Sequence, residues 1–194
     1  MTSILVVCTG NICRSPIAEG MLRDALAARF GERAPTVSSA GTWGVDGSAP
    51  TPEAVTAAGE RGIDIAAHRA RRLEQVPHDA DLVIAMAGEH RDILGDETGL
   101  GERSFTLKEL VRLLESLPPV PPDSRPDSLP ERVHQASAAR RAGFAGNPLD
   151  DDVVDPIGMP LQSYRAIAWE LDEWVIRLVE GLYGAVPVPA ASEG

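Results

Sequence analysis

The stretch from Ser3 to Ala18, SILVVCTGNICRSPIA, joins a short apolar run to a small polar loop and then to a helical pattern. The apolar, β-branched residues up to Cys8 predict a strand. Apolar residues recur at helical spacing from Pro16 to Phe30, and proline suits the first turn of a helix. The sequence therefore predicts a strand, a tight loop and a helix in direct succession.

The same alternation continues along the chain and determines the predicted fold class. Further strands are predicted over 36–40 and 81–86, and further helices over 52–61, 89–94, 107–117 and from 160 or 161 to about 182. Trp169 and Trp174 of the last helix are expected in or near the core. Strands that alternate with helices favour an α/β domain, a parallel sheet with helices on both faces.

The domain organisation follows from length and proline content. A chain of 194 residues is the usual size of one domain, and we expect that domain over 1–184 with a frayed, disordered tail over 185–194. Residues 118–130 contain six prolines, so 118–150 is predicted to be a surface insert with a short helix over 131–141. One hypothesis is that this insert covers the active cleft as a lid.

Charge and cysteine content limit the partners and the compartment. The net charge of -11 argues against nucleic acid, which is bound through Lys and Arg. There is no apolar leader, and no apolar stretch approaches the roughly 18 residues of a membrane span. The two cysteines are five positions apart, so a disulfide between them would stabilise the fold little. They therefore indicate reduced thiols in the cytoplasm. Together with four scattered His they match no metal-ligand spacing.

The loop after the first strand carries the chemistry. Backbone amides at a helix N-terminus bind phosphate-sized anions, and Gly10 and Asn11 tolerate the left-handed dihedrals that such a cradle needs. Arg14 can direct two donors at phosphate oxygens. Cys8 at the bottom of the cradle is then favoured as a thiolate nucleophile. The alternative is a buried strand-end cysteine that only packs, and a Walker-type nucleotide loop is excluded because no Gly-Lys-Ser/Thr is present.

The motifs resemble one family from end to end. C-T-G-N-I-C-R-S-P-I-A-E-G, followed by S-A-G-T, H-R-A-R-R-L, D-L-V-I-A-M and D-P-I-G, is similar to the low-molecular-weight protein tyrosine phosphatases. The likeness covers residues 1–100 and 150–182, while the stretch between is longer than the family usually has. The resemblance implies a four-stranded parallel sheet, an active loop after the first strand, and a two-step reaction without metal or cofactor.

The resemblance also implies residue roles. Cys8 is the expected nucleophile, Arg14 the phosphate clamp, and Asp155 the acid for the leaving phenol and then the base for water. Asp155 precedes Pro156, so a structural turn is the alternative. Ser39 and His68 are expected to brace the loop, and the hydroxyl of the loop serine is expected to stabilise the leaving thiolate. The phosphate-binding residues are Thr9, Gly10, Asn11, Ile12, Cys13, Arg14 and Ser15.

Two positions bear on regulation and specificity. By resemblance, Cys13 forms a reversible disulfide with Cys8 under oxidation, and a small packing residue is the alternative. Ile157 stands after Asp-Pro where the family commonly has an aromatic residue. Ring recognition is then expected from Trp43 or Val45, with Trp43 favoured and Ile12 beneath.

The implied substrates are tyrosine-phosphorylated proteins, and a bacterial tyrosine kinase is a candidate partner by resemblance. Two other functions stay open. One is an arsenate reductase, which would need an external thiol carrier because no cysteine follows Cys13. The other is a phosphate-binding module in which Asp155 never reaches the cleft. The acidic run Asp150, Asp151 and Asp152 is expected to form a solvated face.

Overall fold

The computed structural model describes residues 2–98, 100–144 and 150–185. The strands are β1 (Ser3–Cys8), β2 (Thr36–Gly41), β3 (Leu82–Ala85) and β4 (Ser104–Thr106). The α-helices are α1 (Arg14–Phe30), α2 (Pro52–Gly59), α3 (Gly88–Thr98), α4 (Leu107–Ser116), α5 (Leu129–Ala139) and α6 (Leu161–Tyr183). The predicted disordered tail lies almost wholly outside the described residues.

The sheet is parallel, with the strand order β2-β1-β3-β4. Cys8 pairs with Gly41 of β2, and Val7 pairs with Ala85 of β3, so the strand that leads into the loop is the central one. Helices cover both faces, and the predicted fold class is confirmed. The short strand β4 is one that sequence periodicity alone did not predict.

Alternate residues of β1 face two separate parts of the core. Ile4, Val6 and Cys8 join the larger cluster with α1, α4, α5 and α6. Leu5 and Val7 join the smaller cluster on the other face, which includes Leu94 of α3. Both faces of β1 are therefore buried, as expected of a strand in an all-parallel sheet.

The last helix buries an apolar stripe, and one of its two tryptophans lies outside that stripe. Tyr164, Leu171 and Leu178 are buried, and Trp174 is half-buried with the Arg177 guanidinium 4.2 Å from its ring centre. Trp169 is 58% exposed, so its predicted place in or near the core is wrong. At the helical spacing of 100° per residue, Trp169 lies outside the stripe that faces the sheet.

The insert is less superficial than its prolines suggested. Leu129, Val133 and Ala136 of α5 are fully buried in the larger core cluster. Pro126 accepts a hydrogen bond from the Thr2 hydroxyl, beside the amino end of β1. The loop that joins β1 to α1 follows the opposite end of that strand, about 20 Å away. The part of the insert around Pro126 therefore cannot act as a lid over the loop.

Among the described residues, no helix is both long and apolar enough to cross a bilayer.

Candidate active site

The loop between β1 and α1 curls around the sulfur of Cys8. The Asn11 amide donates to Cys8 Sγ over 3.3 Å, and the Ser15 hydroxyl lies 3.0 Å from the same sulfur. Cys8 is 2% exposed. Asn11 adopts a left-handed conformation with φ of 55°, as predicted, whereas Gly10 does not. A backbone amide and a hydroxyl thus lie within hydrogen-bond distance of the sulfur.

Asn11 holds the loop together through its side chain. Its Nδ2 donates to Ser15 Oγ at 2.9 Å and to Ser39 Oγ at 2.8 Å, and its Oδ1 accepts from the Arg71 amide at 2.9 Å. The side chain is fully buried, so each of these bonds satisfies a group that water does not reach. The loop is therefore fixed to β2 and to the segment after α2.

Ser39 and His68, the two predicted supporting residues, meet through Glu19. The Ser39 hydroxyl donates to Glu19 Oε2 over 2.5 Å, and His68 Nδ1 lies 3.7 Å from the same oxygen. His68 Nε2 is 3.0 Å from the Asn11 carbonyl. Burial lowers the pKa of His68, while Glu19 opposes that effect. His68 therefore contacts the loop backbone and Ser39 contacts the Asn11 side chain.

Arg14, the first residue of α1, is 4% exposed and makes contacts in three directions. Nη1 donates to the Val153 carbonyl at 3.0 Å, and Nη2 donates to Thr9 Oγ1 at 3.2 Å. Nη2 also forms an ion pair with Asp155 Oδ2 at 2.7 Å. Arg14 Nε is buried and has no partner among the described residues. The Nε donor of the guanidinium is thus one of two that remain available to an anion.

The segment that carries Asp155 is anchored to the sheet and to α4. The Val153 amide donates to the Met86 carbonyl at 2.8 Å, directly after β3. Lys108 Nζ donates to the Asp152 carbonyl, and Asp152 Oδ1 accepts from the Gly88 amide, both at 2.8 Å. These bonds hold the segment across the carboxyl ends of the strands, where ligand sites of parallel sheets lie.

The acidic residues of this segment have different surroundings. Asp155 Oδ1 accepts from the Ile157 amide at 3.2 Å, as expected of a turn that begins with Asp-Pro, and its side chain is 40% exposed. Asp151 is only 6% exposed and pairs with Arg112, so the prediction of a solvated acidic face is wrong at that position. Burial of a carboxylate is tolerated there because a guanidinium compensates its charge.

Cys13 is a second reduced and buried thiol, at the start of α1. Its sulfur lies 3.6 Å from Thr51 Oγ1 and 3.8 Å from the Tyr164 hydroxyl. Burial raises the pKa of the Cys13 thiol, although the Thr51 and Tyr164 hydroxyls oppose that shift. Both cysteines are free, and the predicted disulfide between them stays a prediction.

Hydrophobic side chains stand exposed beside the loop. Trp43 is 80% exposed and its amide donates to the Thr9 carbonyl at 2.9 Å. Val45 is 54% and Ile157 55% exposed, and Ile157 is bonded through its amide to Asp155. Ile12 is half-buried in the loop itself. We call Trp43, Val45 and Ile157 the rim.

Sequence reasoning missed three residues around the loop, Glu19, Arg71 and His90. Glu19 accepts from the Ser39 hydroxyl, the Arg71 amide donates to Asn11 Oδ1, and His90 Nε2 lies 2.9 Å from Thr9 Oγ1. Glu19 is one helical turn after Ser15, which is a usable signal. For His90 the sequence offered none, because its contact joins α3 to a loop about eighty positions earlier.

The sequence matches a family model described as low molecular weight phosphotyrosine protein phosphatase over residues 3–115. It is 38% identical over 180 residues to a protein-arginine-phosphatase of Bacillus subtilis, covering 92% of this chain and 95% of the relative. It is 42% identical over 90 residues to a probable low molecular weight protein-tyrosine-phosphatase, EpsP, of Ralstonia solanacearum, covering 46% of this chain and 58% of that protein.

Solved structures agree with these sequence matches. The low molecular weight protein tyrosine phosphatase of T. tengcongensis superimposes with a TM-score of 0.69 at 33% identity, covering 94% of this chain and all (100%) of the other. The YwlE arginine phosphatase of Geobacillus stearothermophilus superimposes with a TM-score of 0.67 at 30% identity, covering 94% of this chain and 93% of the other. The similarity therefore includes the α5 to α6 half of the chain, beyond the family model.

Proposed function

Because the chain belongs to the low-molecular-weight phosphotyrosine protein phosphatase family and is a cysteine-dependent phosphatase, we propose that it hydrolyses phosphotyrosine through a phosphocysteine on Cys8. One observation carries the proposal: the side chains proposed as nucleophile, anion clamp and acid converge on one loop. Cys8 Sγ lies within the loop, Arg14 flanks it, and the Asp155 carboxylate is 2.7 Å from Arg14 Nη2.

The first step transfers the phosphoryl group. Cys8 thiolate attacks phosphorus while the bond to the phenolic oxygen breaks, and the carboxylic acid form of Asp155 gives its proton to that oxygen. Loop amides and Arg14 hold the equatorial oxygens, whose charge rises in the transition state. Before this step the phosphate replaces Asp155 at Arg14 Nη2, which releases the carboxyl group toward the leaving oxygen.

The second step hydrolyses the phosphocysteine. Asp155, now a carboxylate, takes a proton from water as that water attacks phosphorus, and the sulfur leaves as a thiolate. The Ser15 hydroxyl, 3.0 Å from Cys8 Sγ, stabilises that leaving thiolate by a hydrogen bond. Inorganic phosphate is released and the carboxyl group is protonated again, so both groups return to their starting states.

The rim supports an aromatic leaving group. Trp43 stands next to Thr9 of the loop and Ile157 next to Asp155, and both present apolar surface to solvent. A phenyl ring whose oxygen reaches Asp155 would gain by stacking or apolar contact with such side chains. We assign the ring contact first to Trp43, which compensates for the aliphatic residue after Asp-Pro.

Phosphoarginine is a second candidate substrate, and one observation favours it. The relatives that match nearly the whole chain, at 31% and 38% identity, are named protein-arginine-phosphatases, whereas the tyrosine-phosphatase EpsP matches over 46% of it. The same nucleophile and clamp serve a phosphorus–nitrogen bond. A guanidine leaving group, however, gains little from the apolar rim, so we rank phosphotyrosine first.

The two other functions have less support. A phosphate-binding module required Asp155 to stay away from the cleft, yet its carboxylate contacts the proposed phosphate clamp. Arsenate reduction would need an external thiol carrier, and the relatives named above are phosphatases. We also propose a cytoplasmic location, since a reduced nucleophilic thiol requires a reducing compartment. Tyrosine-phosphorylated proteins, a bacterial tyrosine kinase among them, are the proposed partners.

The proposal is tested by hydrolysis of p-nitrophenyl phosphate and of peptides of one sequence carrying phosphotyrosine or phosphoarginine, in EDTA without added metal. Cys8→Ser should abolish turnover. Asp155→Ala should slow it about 10²-fold or more, and most for the poorer leaving group. Asp123→Ala, at an exposed carboxylate of the insert, is the matched control and should behave as wild type.

The outcomes distinguish the two candidate substrates. Turnover of the phosphotyrosine peptide alone, or in large excess, establishes the first candidate, and preference for phosphoarginine establishes the second. A wild-type protein that binds phosphate but turns over neither ester nor phosphoramidate would refute both.

A further inference from the structure

A buried histidine that the proposed mechanism does not use lies behind the anion clamp. His90, in the first turns of α3, is 1% exposed, and its Nε2 is 2.9 Å from Thr9 Oγ1. His68 contacts the loop backbone, and the remaining two histidines, His78 and His134, are exposed. The Nδ1 of His90 is buried and has no hydrogen-bond partner among the described residues, so this imidazole needs an explanation beyond core packing.

The hydroxyl that His90 contacts is itself a partner of the clamp. Arg14 Nη2 donates to Thr9 Oγ1 at 3.2 Å, so that His90, Thr9 and Arg14 form a continuous chain of hydrogen bonds. A hydroxyl can donate and accept at once, and therefore Nε2 completes this chain whichever ring nitrogen carries the proton. The chain joins α3 to the guanidinium across the carboxyl ends of β1 and β3.

The chain matters most when substrate is bound. In this structure Arg14 Nη2 is shared between Asp155 and Thr9, and Nη1 donates to the Val153 carbonyl. A phosphate displaces Asp155, after which Thr9 Oγ1 and the Val153 carbonyl are the fixed acceptors that orient the guanidinium. Arg14 Nε, which is buried without a partner among the described residues, keeps its direction only while that orientation is kept.

We propose that His90 is a positioning residue for phosphoryl transfer, which acts through the Thr9 hydroxyl to fix the plane of the Arg14 guanidinium. This inference rests on the proposed role of Arg14 as phosphate clamp. A buried imidazole is well suited to it, because its Nε2 restricts a hydroxyl rotor that would otherwise turn between partners. A fixed guanidinium plane keeps its donors aligned with the phosphate oxygens.

A double-mutant cycle tests the chain. Thr9→Val removes the hydroxyl with little change of shape, and His90→Leu removes the imidazole. We expect Thr9→Val to lower kcat/KM for p-nitrophenyl phosphate about tenfold and His90→Leu about fivefold. Because both act through one chain, the double variant should lose about tenfold, not the roughly fiftyfold product of independent effects.

Rescue and inhibition separate positioning from general damage. Thr9→Ser, and His90→Gln with an amide near the place of Nε2, should stay within about twofold of wild type. Inorganic phosphate should inhibit Thr9→Val and His90→Leu about tenfold and fivefold more weakly. Partial unfolding would instead lower kcat and leave the inhibition constant unchanged. Thr56→Val and His78→Gln, at exposed positions, are controls for loss of a hydroxyl and an imidazole.

The result has three readings. Non-multiplicative losses with weaker phosphate inhibition support the chain. Multiplicative losses in kcat/KM, or single variants whose inhibition constants for phosphate are unchanged, overturn the proposal. If His90→Leu does not fold, the inhibition constants of Thr9→Val and Thr9→Ser are compared instead. Equal constants in those two variants overturn it. Should Cys8→Ser and Arg14→Lys retain wild-type rates, the proposed function fails instead, so the two failures are distinguishable.

Discussion

The phosphate loop and the rim beside it are held very differently. In the loop, Asn11 is fully buried and bonds three other segments, and Arg14 is 4% exposed with acceptors on both terminal nitrogens. In the rim, Trp43, Val45 and Ile157 are each more than half exposed. Buried hydrogen-bonded groups are fixed by several partners at once, while exposed apolar side chains turn freely. The residues proposed for the chemistry are thus held by several partners each, whereas those proposed to contact the substrate ring have few.

This contrast predicts the largest loss at Arg14. Arg14→Lys keeps the charge but cannot bond Val153, Thr9 and a phosphate together, so kcat/KM for p-nitrophenyl phosphate should fall about 10²- to 10³-fold. Steady-state kinetics measure it, and Arg23→Lys at an exposed position of α1 is the control. A Lys variant within tenfold of wild type would mean that charge alone is enough.

The next largest effect is expected at Asn11. Asn11→Ala removes the bonds to Ser15, Ser39 and the Arg71 amide, and we expect a loss of about 10²-fold in kcat/KM with about 2–3 kcal/mol lower unfolding free energy. Asn11→Gly regains the left-handed dihedral without those bonds and should remain impaired. Recovery in the glycine variant would assign the effect to backbone conformation.

The buried imidazole of His90 should make the free energy of unfolding depend on pH. Burial, with a smaller contribution from the Arg14 charge, lowers the pKa of His90 to about 4. Unfolding restores a pKa near 6.5, so the unfolded state takes up a proton first and stability falls as the pH drops from about 6.5 toward 4, by up to about 3 kcal/mol.

Urea denaturation at pH 7, 5.5 and 4.5 measures this dependence. His90→Gln cannot titrate and should flatten the curve, whereas His134→Gln, at an exposed position of α5, should not. An unchanged pH dependence in His90→Gln would show that the buried imidazole is not its source.

The smallest effect is expected at the rim. Trp43→Ala should lower kcat/KM for a phosphotyrosine peptide about fivefold and leave the melting temperature unchanged, because the side chain is 80% exposed. Trp169, on α6, is also exposed, and Trp169→Ala is the control for loss of a surface indole. Equal losses on phosphotyrosine and phosphoarginine peptides would contradict ring recognition by Trp43.

The parts of the structure that depend on neighbouring residues alone were predicted from the sequence. Strand, loop and helix around Cys8 are contiguous, and their register follows from hydrophobic spacing and a proline at the first turn. Strand β4 was not predicted from the residues, because three residues are too few for a period and its place follows from pairing with β3. The resemblance supplied the fourth strand.

Long-range contacts were the least predictable part of the site. The burial of Asp151 depends on Arg112, a residue of α4 about forty positions away, and the contact of Thr9 with His90 depends on α3. Neither pair leaves a mark in local composition. The prediction of a solvated acidic face was wrong at Asp151 because Arg112, on a helix distant in sequence, pairs with it.

The central position of β1 has a consequence for how the site is lost. Its amides are bonded to strands on both sides, β2 and β3, and both its faces are covered. Backbone amides of this kind exchange with deuterium only through global opening. Val6 and Val7 should therefore be among the last amides to exchange, and the cradle around Cys8 should persist through the local fluctuations that open loops elsewhere.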